Sequence, residues 1–420
     1  FNFQKINLEK TLSDINKYIN QKKFPEALIL LKELKCNNFF INILDKGRNK
    51  SKLKKKLNLF LIKIKSDTLT IQKNIDFKND IIWLIESELL FKSKRILEFI
   101  KLNKIKKNNN SIIFTRYLLY TLETMNYLES RGRDSLGLTI NIFNKKKLSI
   151  KQNVKNNSNL IFFQKKIKKN KFLISFTLKF AKRIGYSGEN VSNILKMIKT
   201  KKIFNKLNFS DLLEVNFISH TRWASVGEVN LSNTHPIIDS NNEINISLMN
   251  GDIINHKKIF ENLKKNKKYK NLDKKCTNDL RSISSLIFNK KKNLFEYLEG
   301  SFVLINFNSI NSSQIKILKK GSQGLYYTLD IDENIHFASD VYGLINKSNN
   351  FLRIDNDGEY IIDKKFIRKI KLKKSKSTNL MTNDLSKKGF DKFFLKEIND
   401  TEKFVKRTIF QYISQEEKKI

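Results

Sequence analysis

Hydrophobic spacing in this chain changes period near residue 111, and that change sets what the chain can fold into. Before it, apolar residues recur every three to four positions. Phe24, Leu28, Leu31 and Leu34 form one such series, with Pro25 where a first helical turn tolerates it. Asn79 and Asp80 are placed to cap a second long helix carrying Ile82, Ile85, Leu89 and Leu90. Asn/Lys-rich patches at 46–57 and 103–110 read as linkers or loop ends. The segment 1–110 is thus expected to be helical, for packing or interaction, and it carries no chemical motif. A helix over 112–129 comes next, then a strand-like run from Leu138 to Phe143. Residues 144–215 read as Lys/Asn-rich loops mixed with helices, one of them around Val191 to Met197. From there on, short strands (Val215–His220, Ile244–Met249, Phe302–Phe307, Gln314–Leu318, Ile335–Ala338) alternate with helices at about 252–265 and 279–289. Strands dominating one stretch, with helices interspersed, predict a layered α+β domain rather than a strict parallel βαβ series. A last helix is expected from Asp391 to Tyr412.

At 420 residues, with 40% hydrophobic residues and 32 Phe, the chain has material for two or three domains with buried cores. The formal charge of +41 would suit a nucleic-acid binder. Yet the excess is mostly Lys, in short clusters such as Lys54–Lys56 and Lys290–Lys292, mixed throughout with Asn and Ile. These three residue types share AT-rich codons, so compositional bias accounts for the charge and no specific nucleic-acid partner is expected. Cys36 and Cys276 are too few for a disulfide framework or a zinc site, and no metal or cofactor is expected. No apolar run approaches the roughly 20 residues of a membrane helix, and a reducing, cytoplasmic setting fits best. Met125 is the first methionine, so Phe1 is expected to be a processing site or a cut.

Three segments carry candidate chemistry. His220-Thr221-Arg222-Trp223-Ala224-Ser225-Val226-Gly227, continuing to Asn233-Thr234-His235-Pro236, follows a strand. Arg beside Trp suits a carboxylate held by two charge-assisted hydrogen bonds under an aromatic cover; an Arg stacked on Trp at the surface is the simpler alternative. Asn250-Gly251 ends the apolar run Ile244–Met249. It reads either as a turn or as a strand-to-helix step, in which the Asn amide and the unhindered Gly N–H make a pair of oxyanion donors. Thr277-Asn278-Asp279 precedes a helix with Ile283, Leu286 and Ile287 on one face. Asp279 there is either a helix cap or a carboxylate for a ligand's ammonium group.

Taken together, these segments resemble the class II (N-terminal nucleophile) glutamine amidotransferase domain of the glucosamine-6-phosphate synthase family. His220 to Ala224, Asn250-Gly251, Asp279 and Leu298-Glu299-Gly300-Ser301-Phe302 occur in that family's order. Arg131-Gly132-Arg133-Asp134-Ser135 precedes them and His336-Phe337-Ala338-Ser339-Asp340 follows. Lys396-Glu397-Ile398 is similar to the family's bridge towards its sugar-isomerase half. The resemblance implies a four-layer αββα sandwich of the N-terminal nucleophile hydrolase type, with the helical segment added on the N-terminal side. It implies that Arg222 binds the α-carboxylate of glutamine, that Trp223 closes over the site and that Ser225 assists where the family has Thr. Asp279 and the Gly251 region would hold the α-ammonium, and Asn250 with the Gly251 N–H would form the oxyanion hole. A cysteine at the mature N-terminus would attack the side-chain amide, its own amine acting as base.

Phe1 is not that cysteine, and neither Cys36 nor Cys276 can present a free α-amine. The nucleophile is therefore expected upstream of Phe1, with 1–110 an insertion into the domain, 111–370 the amidotransferase domain, and 371–420 a linker and exit helix towards absent sugar-isomerase domains. The reading that results is the ammonia-releasing half of an isomerising glutamine:fructose-6-phosphate aminotransferase, homodimeric when complete, with fructose 6-phosphate bound by those absent domains and the fragment alone inactive. A degenerate, inactive glutaminase-like domain kept for binding or regulation is the alternative.

Overall fold

The computed structural model describes residues 8–36, 48–67, 72–129, 132–148, 159–182, 188–240, 243–265, 276–288, 293–330, 332–348, 350–370, 375–378, 390 and 393–412. The chain separates into two compact units, Phe1–Ser377 and Thr378–Ile420.

The first unit opens with helices α1 (Leu8–Asn20), α2 (Phe24–Cys36), α3 (Arg48–Ser66) and α4 (Gln72–Trp83). A π-helical stretch, Leu84–Phe91, then leads into α5 (Lys92–Leu102). The series Phe24, Leu28, Leu31, Leu34 is buried, as helical spacing requires. Two expectations fail here. Residues 48–57 begin a helix rather than a linker, because Leu53, Leu57, Phe60 and Ile64 recur on one face and are buried despite the lysines between them. Asn79 and Asp80 sit inside α4 rather than at its start, since the helix already begins at Gln72.

Next comes α6 (Asn109–Leu128), started by a capping box in which the Asn108 side chain accepts from the Ser111 N–H and the Ser111 hydroxyl accepts from the Asn108 N–H. It delivers the chain to β1 (Ser135–Asn144), β2 (Leu160–Lys168), β3 (Lys171–Ala181), α7 (Glu189–Lys201) and β4 (Leu212–Arg222). These strands form an antiparallel sheet in the order β2-β3-β1-β4. Within 144–215 the helix expected around Val191 to Met197 is present as α7, whereas the β2–β3 hairpin stands where loops and helices were expected; its lysines lie largely on exposed positions of β2, which hid the strand period.

β5 (Ile237–Ser240) and β6 (Ile244–Ile253) lead into α8 (His256–Lys265), α9 (Leu280–Phe288) and the single turn α10 (Leu294–Tyr297). β7 (Gly300–Asn308), β8 (Ile315–Lys320), β9 (Tyr326–Leu329), β10 (Ile335–Ala338), β11 (Asn350–Arg353) and β12 (Gly358–Ile362) follow, then α11 (Lys364–Ile370) and β13 (Lys376–Ser377). A second antiparallel sheet has the order β12-β8-β7-β6-β5, and a small third one the order β10-β9-β11-β13.

Strand alternation divides the core. Leu136, Leu138, Ile140 and Ile142 of β1 pack with Phe114 and Leu118 of α6 and Ile194 and Ile198 of α7. Phe143, Leu173 and Ile218 on the first sheet's other face meet Ile244, Ile246, Leu248 and Phe307 of the second. The second sheet's far face, with Met249, Phe302 and Leu304, packs on Ile259 of α8 and Leu280 and Ile283 of α9. Each fully buried Leu, Ile or Phe contributes about 1.5–3 kcal/mol before chain entropy is counted.

The second unit contains α12 (Phe393–Tyr412), on which Leu395, Ile398, Val405 and Ile409 are exposed. No helix among the described residues is long and apolar enough to cross a membrane.

Candidate functional site

Arg222 ends β4, opposite Ser135 of β1, and is only 6% exposed. One guanidinium nitrogen, Nη2, donates to the Val226 carbonyl and so curls the loop after the strand. Burial pulls the Arg222 pKa down, and Asp279, Cys276, Asp134 and Asp252, in that order, oppose the shift. Groups far apart in sequence thus act electrostatically on this one cation.

The backbone after Arg222 is held by a segment whose role was not legible in the sequence. Asp134 donates its N–H to the Arg222 carbonyl (3.1 Å) and accepts the Ala224 N–H on Oδ2 (3.1 Å). A Cβ on Gly132 would lie 2.6 Å from the Trp223 nitrogen, so only glycine lets the two segments touch. This is the physical use of Gly132 and Asp134; Arg131 lies outside the described residues. Trp223 itself is 66% exposed and does not cover Arg222 in this structure. Ser225 turns the other way and donates to Asp252 Oδ1 at 2.8 Å, linking this loop to β6.

Asn250 and Gly251 are neither a turn nor a strand-to-helix step. β6 continues to Ile253, and the two residues pair with Val303 and Phe302 of β7. Glycine is required because Gly251 has φ +98° and a Cβ there would lie 2.1 Å from the Ser301 carbonyl oxygen. The Asn250 amide Nδ2 donates to the side-chain carbonyl of Gln323 at 3.1 Å, and Gln323 Cγ also lies beside Gly251.

Asp279 is buried, at 4% exposure. Its Oδ2 accepts the Ile253 N–H (2.9 Å) and its Oδ1 the Leu280 N–H (3.0 Å), fixing the carboxylate at the end of β6. Burial raises its pKa, while the Ile253 N–H and the charge of His256 pull it back. The cap of α9 is the neighbouring side chain: Asn278 Oδ1 accepts the Arg281 N–H at 3.1 Å.

Asn233, Asn278 and His235 brace these parts. Asn233 Oδ1 accepts the N–H groups of Thr277 (2.6 Å) and Asn278 (3.1 Å). Asn278 Nδ2 reaches the Asn233 carbonyl and His235 Nε2, and His235 Nδ1 meets the Met249 carbonyl at 3.2 Å. Because Asn278 Nδ2 is a donor, Nε2 accepts and the proton sits on Nδ1, which donates to Met249. The His220 ring lies 4.9 Å from His235. Burial, with the nearby Arg222 charge, pulls His220 down to about 4; burial likewise pushes His235 well below its usual range. Both rings are therefore neutral at pH 7.

The structure brings Arg222, Ser225 and Asp279 together around the end of β6, with Asn250-Gly251 on that same strand, and leaves Trp223 at the surface. Asp252, Gln323, Asn233 and Asn278, which contact these groups, were not among the residues expected there. Asp252 and Gln323 belong to no recognised motif, and Asn233 and Asn278 reveal their part only through contacts more than forty residues apart. No cluster of three or more His, Cys, Asp or Glu suited to a metal ion exists among the described residues.

Residues 212–376 match the family model described as a glutamine amidotransferase domain. The chain is 26% identical over 266 residues to a glutamine–fructose-6-phosphate aminotransferase (isomerising) of Buchnera aphidicola, covering 56% of this chain and 42% of that protein. It is 28% identical over 309 residues to the one from Wigglesworthia glossinidia brevipalpis, covering 70% of this chain and 42% of the relative. The one from Sulfurisphaera tokodaii is 26% identical over 286 residues, covering 59% and 46%. The chain therefore spans less than half the length of these relatives. A solved B. subtilis glutamine phosphoribosylpyrophosphate amidotransferase aligns at 13% identity and a TM-score of 0.34 over 58% of this chain and 46% of that one, too distant a likeness to bear on fold or function. The family match over β4 to β13 and the named relatives agree: over residues 212–376 this chain is similar to a glutamine amidotransferase domain, and over longer stretches to isomerising glutamine–fructose-6-phosphate aminotransferases.

Proposed function

We propose that the site at the end of β6 binds glutamine and presents its side-chain amide for hydrolysis, as the ammonia-supplying half of an isomerising aminotransferase acting on fructose 6-phosphate. One observation carries this reading. Asn250 Nδ2 already receives a carboxamide oxygen, that of Gln323, on the strand whose end is tied to the buried Asp279 and whose Asp252 lies within electrostatic reach of Arg222. A donor aimed at a carboxamide oxygen is a donor aimed at the oxyanion formed when that carbonyl is attacked.

In this proposal Arg222 grips the α-carboxylate with guanidinium donors other than the one given to Val226, and Asp279 holds the α-ammonium. Trp223 swings in from its exposed position to exclude water, and Ser225 supports the loop. Asn250 and the Gly251 N–H stabilise the oxyanion, worth roughly 10²–10³ in rate for one donor. In the family's mechanism the attacking thiol belongs to an N-terminal cysteine. Neither Cys36 nor Cys276 has a free α-amine, so residues 1–420 alone are proposed to bind glutamine without turning it over. The four-layer αββα arrangement belongs to the same proposal, supported by the three successive cores that run helices, first sheet, second sheet, helices. So do a cytoplasmic location, a homodimeric whole and an acceptor site on domains beyond this chain.

Calorimetric titration of the intact chain with glutamine tests the proposal. Binding that Arg222→Ala and Asp279→Asn each weaken at least tenfold is expected. A well-folded chain that binds no glutamine refutes it.

A further inference from the structure

We infer that Asp252 is a specificity-determining residue that makes this site favour glutamine over glutamate, the uncharged amide over its own hydrolysis product. The inference rests on the glutamine-binding proposal above and adds to it the reason the product leaves.

Several acidic groups act on Arg222 at once. One guanidinium faces three carboxylates, those of Asp279, Asp134 and Asp252. Asp134 is occupied with the backbone of Ala224, and Asp279 with the N–H groups of Ile253 and Leu280. Asp252 is different. It follows Gly251 directly, is exposed, and accepts the Ser225 hydroxyl on Oδ1 at 2.8 Å. A hydroxyl that spends its hydrogen on Oδ1 fixes the carboxylate in place without neutralising it.

Strand geometry then sets the consequence. Residues two apart on a strand share a face, so the Asp252 side chain projects on the same side of β6 as that of Asn250, about 6.6 Å further along. Asn250 Nδ2 is the point at which a carboxamide oxygen docks, because Gln323 Oε1 docks there. The γ-group of a bound ligand would take that place. A γ-carboxamide brings no charge, whereas a γ-carboxylate brings a full negative charge within one Debye length of Asp252, which is about 8 Å at physiological salt. A repulsion at this separation, in the intermediate dielectric of a protein rim, disfavours glutamate by about three- to tenfold. The α-carboxylate and α-ammonium are common to both ligands, so their interactions cancel in the comparison.

The test is a pair of titrations, L-glutamine and L-glutamate, against the full chain and its Asp252→Asn variant, at 50 mM and 300 mM salt. The ratio of the two dissociation constants is the readout, because a merely structural effect of the substitution changes both ligands together. The wild-type chain should bind glutamine more tightly. In Asp252→Asn the glutamate-to-glutamine ratio should fall three- to tenfold, and the wild-type ratio should shrink at high salt. An unchanged ratio in the variant, whatever the individual affinities, overturns the role of Asp252 while the glutamine-binding proposal stands. Failure of both ligands to bind the folded wild-type chain overturns the proposal itself and this inference with it.

Discussion

Acidification should destabilise the folded chain through His220, by an amount that can be worked out. In the unfolded chain a histidine protonates near its model value of 6.5, whereas burial and the Arg222 charge hold folded His220 near 4. Below pH 6.5 the unfolded state therefore takes up a proton that the folded state refuses, and stability falls until the folded ring protonates as well. Each pH unit across that window is worth about 1.4 kcal/mol, so His220 alone costs about 3 kcal/mol between pH 6.5 and pH 4. His235 acts in the same direction. Asp239 acts in the opposite one: burial holds it at about 6 in the folded chain against 3.8 for the free side chain, so folding gains stability as pH falls through that interval. The pH dependence of total stability mixes these terms, and a difference measurement separates them. Urea unfolding of wild type and His220→Gln, followed by far-UV circular dichroism at pH 7, 6, 5 and 4.5, gives the stability gap at each pH. That gap should move by about 1.4 kcal/mol per unit below pH 6.5, in favour of the variant, and level off near pH 4. A gap that stays constant with pH would refute the buried-neutral assignment, and so would an NMR titration placing His220 near 6.5.

Gly251→Ala combines a positive φ with a Cβ 2.1 Å from the Ser301 carbonyl oxygen, so it should lower stability by about 3 kcal/mol or more, read as a clear fall in the thermal midpoint. Gln323→Ala removes the internal carboxamide from Asn250 and should tighten glutamine binding by about threefold or more in calorimetry; weaker binding would mean that Gln323 is part of the site rather than a competitor for it. Lys92→Met leaves Glu88, 1% exposed at its side chain, and Glu123 without the ammonium both contact at 2.7 Å, and should cost about 3–5 kcal/mol in urea unfolding.

Much of the secondary structure was legible because period and burial agree. The 3.6-residue series in α2 and the apolar runs of β6 and β7 were visible for that reason, as were α6 and α9. The β2–β3 hairpin was hidden where lysines occupy its exposed positions, and α3 where lysines fill the outer face of a helix whose inner face alone is apolar. Asn250-Gly251 was misplaced because its dipeptide signal is local, whereas pairing with β7 is not.

The sequence by itself determined which chemical groups exist and in what order: a guanidinium at 222, an amide–glycine pair at 250–251 and a carboxylate at 279, on elements whose period it also encodes. Only the tertiary structure decided what those groups meet. The Asp279 carboxylate on the Ile253 N–H, Ser225 on Asp252 and Asn250 on Gln323 join positions 26, 27 and 73 residues apart. Such contacts leave no periodic trace in a sequence, because they depend on strand register and on how sheets and helices close over shared cores. The burial that keeps His220 and His235 neutral has the same origin.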